Sequence, residues 1–229
     1  MTIQANFSGS YLPAEVTLLL DIVSADSVND ISPTQKEALI QSGQRHYSDM
    51  LTLEKPPSAT HEALYNQALM AGKQRMANDV TNLAFSLHQL FHACVSASQP
   101  LILVSLVRAG LPIGVLLQKA FSDASASYAL ASQHYGVSII RDRGLDPAAL
   151  QYILQQHPHS PIVFVDGWTG KGAIYGELQR SLAQITDKRQ QGQLFHQGEG
   201  VIPLVTLADP AGVAWLSASE DDWLMPASL

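Results

Sequence analysis

The sequence has few of the features that assign a chain to a class at once. Its 229 residues include a single cysteine, Cys94, which excludes an internal disulfide framework and zinc-finger spacing. No apolar run approaches the ~18 residues of a membrane-spanning helix, and the opening residues lack the basic and apolar stretches of a signal peptide. We therefore expect a cytoplasmic protein that contacts no membrane.

Charged side chains are scarce as well. Only 14% of the residues are Asp, Glu, Lys or Arg, and the net charge is −7. A nucleic-acid partner needs a basic stripe that displaces counterions, so this balance argues against one. Hydrophobic residues make up 46% of the chain, enough for the core of one compact unit. A local basic pocket for a small molecule is compatible with the negative net charge of the whole chain.

The pattern of the sequence changes at Pro100. Residues 1–98 are interpreted as a helical extension, in which apolar spacing over 61–96 predicts one long helix with Cys94 on its buried stripe. Residues 99–229 alternate apolar strands and helices, which is typical of an α/β fold with a parallel sheet flanked by helices. Strands are predicted at 101–107, 136–140, 162–165 and 201–207, helices at 111–121, 147–157 and 172–185, and a polar loop at 190–200.

The end of the first predicted strand is a candidate anion site. Ligands of parallel α/β sheets bind at the carboxyl ends of the strands. Arg108, Ala109 and Gly110 follow this strand and precede an apolar helix. Backbone N–H groups at a helix start, together with an arginine, suit a phosphate or pyrophosphate group. The alternative is a tight turn with a solvated Arg108.

The end of the second predicted strand carries four charges within six residues. Arg141 and Arg143 are predicted to bind anionic oxygen atoms. Asp142 is predicted to hold one of these arginines or to act as a base. The alternative is a charged loop that is simply solvated.

The third strand end has the most specific pattern. Asp166 follows a buried strand and can accept hydrogen bonds from sugar hydroxyls, while Thr169 can donate its hydroxyl and Lys171 can neutralise negative charge. The spacing fits neither a Walker A loop nor the G-x-G-x-x-G of dinucleotide sites. The pattern predicts a site for a phosphorylated ribose. The complete loop consists of Gly167, Trp168, Thr169, Gly170, Lys171 and Gly172.

This loop and the 101–114 segment resemble the PRPP loop and the pyrophosphate loop of type I phosphoribosyltransferases. The resemblance implies a glycosyltransferase that binds PRPP or a ribose-5-phosphate nucleotide and transfers at the anomeric carbon. Asp166, Arg108 and Asp142 would be its catalytic residues, and Mg²⁺ would be held by phosphate oxygens and water without a direct protein ligand. Gly167 stands where that family has a second acid, which favours the alternative of a binding module without catalysis.

Polar and aromatic residues outside the predicted sheet are candidates for contacting a base. In a phosphoribosyltransferase the hood over the base lies outside the core, so the resemblance implies this role for Arg45, His46 and Tyr47, and stacking for Trp168. The alternative is a packed helix end and a packed tryptophan. The identity of the base, the direction of the reaction and a homodimer are left open by the sequence.

A closer resemblance rests on five segments, which lie at 9–13, 41–48, 104–110, 138–144 and 165–172. They resemble the family called cysteine protease StiP, which is also described as phosphoribosyltransferase-like. This resemblance implies a tellurite-resistance or stress-response setting, with biosynthetic enzymes as partners, and longer members than this chain. It also gives a third interpretation, a cysteine hydrolase. Because Cys94 is predicted to be buried, the sequence favours the transferase.

Overall fold

Strands and helices alternate over most of the computed structural model, which describes residues 7–22, 24, 30–52, 56–196 and 200–223. A 3₁₀ turn at Tyr47–Asp49 precedes β3. The elements in chain order are β1 Thr17–Leu19, β2 Asp30–Ile31, α1 Pro33–Gln41, β3 Leu51–Thr52, α2 Ala59–Phe91, β4 Leu101–Val107, α3 Gly110–Ser122, β5 Ser132–Ile140, β6 Gly144–Leu145, α4 Pro147–Gln156, β7 Ile162–Trp168, α5 Ala173–Leu182, α6 Lys188–Leu194, β8 Leu204–Ala208 and β9 Leu216–Ser219.

A seven-stranded sheet forms the centre of the molecule. Its strand order is β1-β5-β4-β7-β8-β9, with β6 paired to β5. Neighbouring strands are parallel except for the antiparallel β5–β6 pair. Every residue of β8 is buried, as are the first six residues of β4 and β7, because helices cover both faces of the sheet. The predicted α/β class is therefore confirmed.

The helices divide between the two faces. One face packs on α2 and α3, where Leu83 and Leu87 of α2 meet Leu103 and Val163 of the sheet. The other face packs on α4, α5 and α6. The predicted stripe of α2 is thus buried from Met76 to Leu87, whereas Leu90 is exposed and Phe91, the last helical residue, is buried in its place. The narrower assignment to type I phosphoribosyltransferases and the domain division at residue 98 stay predictions.

The structure also holds elements that the sequence pattern does not reveal. β1 comes from the supposedly helical N-terminal region and pairs with the middle of β5. β9, likewise unpredicted, pairs with β8. Strands of three and four residues are too short to show a clear alternation of apolar and polar residues. The polar loop predicted at 190–200 begins inside α6, and its positions 197–199 lie outside the described residues.

Polar side chains cap the first turns of two helices. Ser32 caps α1 as its hydroxyl accepts the Gln35 N–H, in a capping box with the Gln35 side chain. Asp146 caps α4, which has Pro147 in its first turn. In the described part of the chain, no helix is both long enough and apolar enough to span a membrane.

Candidate functional site

The loops that leave β4 and β7 touch through their backbones. A Cβ atom added to Gly110 would lie 2.1 Å from the carbonyl oxygen of Val165, and one added to Gly167 would lie 2.8 Å from that of Ala109. Only glycine fits at these positions, because a backbone oxygen cannot rotate away. The first and third predicted loops therefore meet at one edge of the sheet.

Asp166 is a buried acid at this edge, with 4% of its surface exposed. Its Oδ1 accepts the Gly167 N–H at 2.8 Å. Burial raises the pKa of the carboxyl group to about 7, since desolvation penalises the ionised form more than this hydrogen bond favours it. β7 continues beyond Asp166 to Trp168, so the acid lies within the strand and is covered.

The Thr169 hydroxyl is used inside the protein. It donates to Asp209 Oδ1 at 2.7 Å, and both residues are buried. Asp209, directly after β8, also accepts the N–H groups of Val213 at 3.1 Å and Ala214 at 2.9 Å. The carboxylate thus ties the 209–214 loop to the glycine-rich loop. The expected donation from Thr169 to a phosphate would have to replace this bond.

Two cations at the edge have no carboxylate partner among the described residues. Arg108 and Lys171 are both exposed, on the first and third loops. The peptide bond between Val107 and Arg108 is cis. Gly172 begins α5 with φ of +78°, a left-handed conformation that favours glycine. Both cationic side chains are therefore accessible to an anion, and Arg141 on the loop after β5 is exposed as well.

The charged loop after β5 is held by internal contacts. Arg143 makes two hydrogen bonds of 2.7 Å to the carboxylate of Asp49, whose pKa is lowered chiefly by these bonds. The Arg141 N–H donates to Tyr47 Oη at 3.2 Å. Asp142, with φ of +65°, donates its N–H to Glu177 Oε1 at 2.8 Å. Arg143 therefore binds the carboxylate of Asp49, whereas the sequence predicted that it binds the anionic oxygen atoms of a ligand.

The residues predicted to contact a base are divided between two places. Tyr47 lies beside the Arg141 loop, and its ring centroid is 4.4 Å from that of His46. Arg45 is exposed. Trp168 lies against Gly170 and donates its Nε1–H to Asp222 at 3.0 Å. Because β4 separates β5 from β7, these residues flank the Arg108 loop from opposite sides.

Cys94 lies on a different part of the molecule and differs from the prediction. α2 ends at Phe91, so the cysteine occupies the turn before β4 and is exposed. Its thiol donates to the Phe91 carbonyl oxygen at 3.3 Å. The apolar spacing continued to residue 94, but the helix does not. Burial of Cys94 was therefore a wrong prediction.

Two histidines precede this cysteine on α2 and its C-cap. The rings of His88 and His92 stack with centroids 5.1 Å apart and planes inclined by 11°. His88 Nδ1 lies 3.1 Å from the Ala129 carbonyl oxygen, and His92 Nδ1 lies 3.0 Å from that of His88. The turn thus combines a thiol and two imidazoles within seven residues.

Comparison with known proteins decides between the interpretations. A family profile described as "Tellurite-like stress resistance cysteine protease StiP" matches residues 9–229. The chain belongs to the StiP family. A protein of Acinetobacter baylyi named "Cysteine protease StiP" is 47% identical over 229 residues, which are 100% of this chain and 54% of that protein. The chain therefore spans about half the length of the curated relative it matches.

StiP membership overturns the predicted transferase. Phosphoribosyl transfer as the function, and glycosyltransferase as the enzyme class, were wrong, because family and relative are both named for a cysteine protease. The error came from reading residue types at strand ends without their internal partners, such as Asp209 for Thr169 and Asp49 for Arg143. The predicted small-molecule ligand, Mg²⁺, homodimer and partner enzymes stay predictions.

Sequence reasoning missed three side chains that the StiP chain places in these two regions. Asp209 follows a buried strand just as Asp166 does, and that position could have identified it. His88 and His92 are four residues apart in a predicted helix, a spacing that brings side chains together.

Proposed function

We propose that this StiP chain carries the nucleophile of a cysteine-dependent protease and that the nucleophile is Cys94. Family membership and the name of the Acinetobacter baylyi relative support the reaction class. Cys94 is the single cysteine of the 229 residues, so a thiol nucleophile from this chain has to be this one. The observation that carries the proposal is its exposure, because a peptide carbonyl carbon must reach Sγ.

The thiol of Cys94 makes a hydrogen bond within the turn. Sγ donates to the Phe91 carbonyl oxygen, and the C-terminal end of α2 carries the negative end of the helix dipole. The thiolate is the reactive form of a cysteine, so the thiol has to lose its proton to attack. A base must therefore accept the proton as Sγ attacks the peptide carbonyl. That base then protonates the leaving amine, and water hydrolyses the thioester.

The proposal assigns the nucleophile to this chain and leaves the base to experiment. Among the described residues, no histidine accepts a hydrogen bond from the thiol. His88 and His92 are the nearest imidazoles in sequence. Each holds its Nδ1 against a carbonyl oxygen, which leaves Nε2 as the basic atom.

The test is covalent labelling with a peptidyl vinyl sulfone, with iodoacetamide as the reference electrophile. We expect the peptide probe to label Cys94 in a saturable manner that a competing peptide slows. Cys94→Ala should abolish labelling and hydrolysis of a fluorogenic peptide, whereas Ala93→Ser, on the same exposed turn, should preserve both. Hydrolysis at the wild-type rate by folded Cys94→Ala protein would refute the assignment. If Cys94→Ala is inactive, hydrolysis rates of His88→Gln and His92→Gln would show whether either imidazole is the base.

A further inference from the structure

We propose that His88 and His92 form a binding site for one divalent transition-metal ion at the C-terminal end of α2. The two residues are separated by four positions, so their side chains project from the same face of the helix. Their rings are already parallel to within 11° and stacked at 5.1 Å. The lone pair of an imidazole lies in the ring plane, so the two neighbouring rings have to tilt towards each other before both can ligate a single ion.

The hydrogen bonds of the two rings prepare the same nitrogen in each. A carbonyl oxygen can only accept, so the contacts with Ala129 and His88 carbonyls place the proton on Nδ1 of each ring. The lone pair is then on Nε2. Metal-bound histidines almost always donate their other N–H to a carbonyl or carboxylate in this way, which fixes both tautomer and ring orientation.

The electrostatic surroundings favour a cation at this position. The last turn of a helix carries partial negative charge on its carbonyl groups. His88 is half-buried and His92 is exposed, so solvent can reach the ion. Imidazole ligands suit Zn²⁺, Cu²⁺ and Ni²⁺ rather than Mg²⁺ or Ca²⁺. The site should therefore discriminate against the hard alkaline-earth ions.

The coordination number follows from what surrounds the pair. No group of three or more His, Cys, Asp or Glu side chains in the described ranges is arranged to hold a metal. Cys94 is excluded because its thiol points to the Phe91 carbonyl. Zinc–nitrogen bonds of about 2.0–2.1 Å in a tetrahedral site require the two Nε2 atoms to lie roughly 3.4 Å apart, so both side chains have to rotate to bring them together. Water would complete a tetrahedron, which makes the site weak and exchangeable.

The experiment is calorimetric titration of the untagged chain with ZnCl₂ in a non-coordinating buffer. We expect one Zn²⁺ per chain through this pair, and at least tenfold weaker binding in both His88→Gln and His92→Gln. His61→Gln, an exposed histidine in the first turn of the same helix, is the matched control and should bind like the wild type. Thermal unfolding of each variant without metal establishes that it is folded.

Two results would overturn the metal site. One is Zn²⁺ affinity that is unchanged in both histidine variants. The other is affinity that is lost in Cys94→Ala while both histidine variants bind normally, since the ion would then be held by the thiol. Imidazole ¹⁵N chemical shifts provide a readout independent of affinity: Zn²⁺ should move Nε2 of both rings, and ligation through Nδ1 would contradict the proposal. None of these measurements depends on protease activity.

Discussion

The carboxyl edge of the sheet and the turn after α2 use their reactive side chains in opposite ways. At the edge, Thr169 donates to Asp209, and Arg143 is paired with Asp49. At the turn, Cys94 and His92 are exposed, and the ring hydrogen bonds of the two histidines in the described structure involve Nδ1 alone. The edge has the residue types of a ligand site but uses many of them internally. The two regions differ less in their residue types than in whether the reactive side chains are free to contact a ligand.

The largest effect should come from filling the backbone contact at the edge. Gly110→Ala is expected to lower the free energy of unfolding by at least about 3 kcal/mol, because the new Cβ would lie 2.1 Å from the Val165 carbonyl oxygen. Gly192→Ala is the control. Nothing lies within 4 Å of a Cβ there, so we expect a gain of about 0.5–1 kcal/mol within α6. Urea titration measures both changes, and equal effects would contradict the close packing of the two loops.

The next largest effect should come from removing the Asp209 carboxylate, which accepts the hydrogen bond of the Thr169 hydroxyl. Asp209→Ala leaves the Thr169 hydroxyl and the N–H groups of Val213 and Ala214 without their acceptor, which should cost about 2–3 kcal/mol. Thr169→Val removes one of these bonds and should cost about 1 kcal/mol. Chemical denaturation compares the two variants. A larger loss in Thr169→Val would mean that the hydroxyl has a role beyond Asp209.

Asp166 should make stability depend on pH. Its pKa is about 7 in the folded protein and 3.8 ordinarily, so between these values the folded state keeps a proton that the unfolded chain releases. This contribution is complete below about pH 4 and is lost as the pH rises to about 7. Asp166→Asn keeps the shape and removes the titration. We expect it to be more stable than the wild type by about 1–2 kcal/mol at pH 8.

The comparison at low pH provides the control for Asp166. At about pH 4 the wild-type side chain is protonated when folded, so the advantage of Asp166→Asn should disappear. Urea titrations at several pH values measure this difference. An advantage of the same size at both extremes would show that burial of the charge is not its cause.

The smallest effect should come from the exposed pair of Arg143 and Asp49. Surface ion pairs contribute little, so Arg143→Gln should leave the urea midpoint unchanged. The local effect is different, because the pair fastens the 3₁₀ turn at Tyr47–Asp49 to the loop after β5. Amide hydrogen exchange in that turn should accelerate in Arg143→Gln but not in Arg141→Gln, in which the backbone bond to Tyr47 is retained. Equal exchange in both would contradict this fastening.

The fold was largely predictable because its strands are local patterns. β4 was predicted with its observed bounds, and α3 and α4 to within one residue at each end. Apolar runs between glycine and charge define such elements from sequence alone. β1 was not predicted, because three residues are too few to show a hydrophobic alternation and its partner Gly136 is distant in sequence.

The site was less predictable because its decisive contacts are long-range. Thr169 and Asp209 are 40 residues apart, and Arg143 and Asp49 are 94 apart. A strand-end position reveals that a side chain is near an edge, not which neighbour it meets. For Cys94 the missing information was where α2 ends: no glycine or proline follows Phe91 closely to mark the end.

The three residues of β1 pair with the side of β5 that faces away from β4. Over a hundred residues separate Leu18 from its partner Gly136, so closing this pair carries a large loop entropy and should come late in folding. Until then the longer β5 presents unpaired backbone groups that can template strand addition from another chain. Contacts of Leu18 with Leu111 and Val115 hold the short strand in place. Resistance to aggregation and domain swapping thus depends on a few apolar side chains remote from any chemistry.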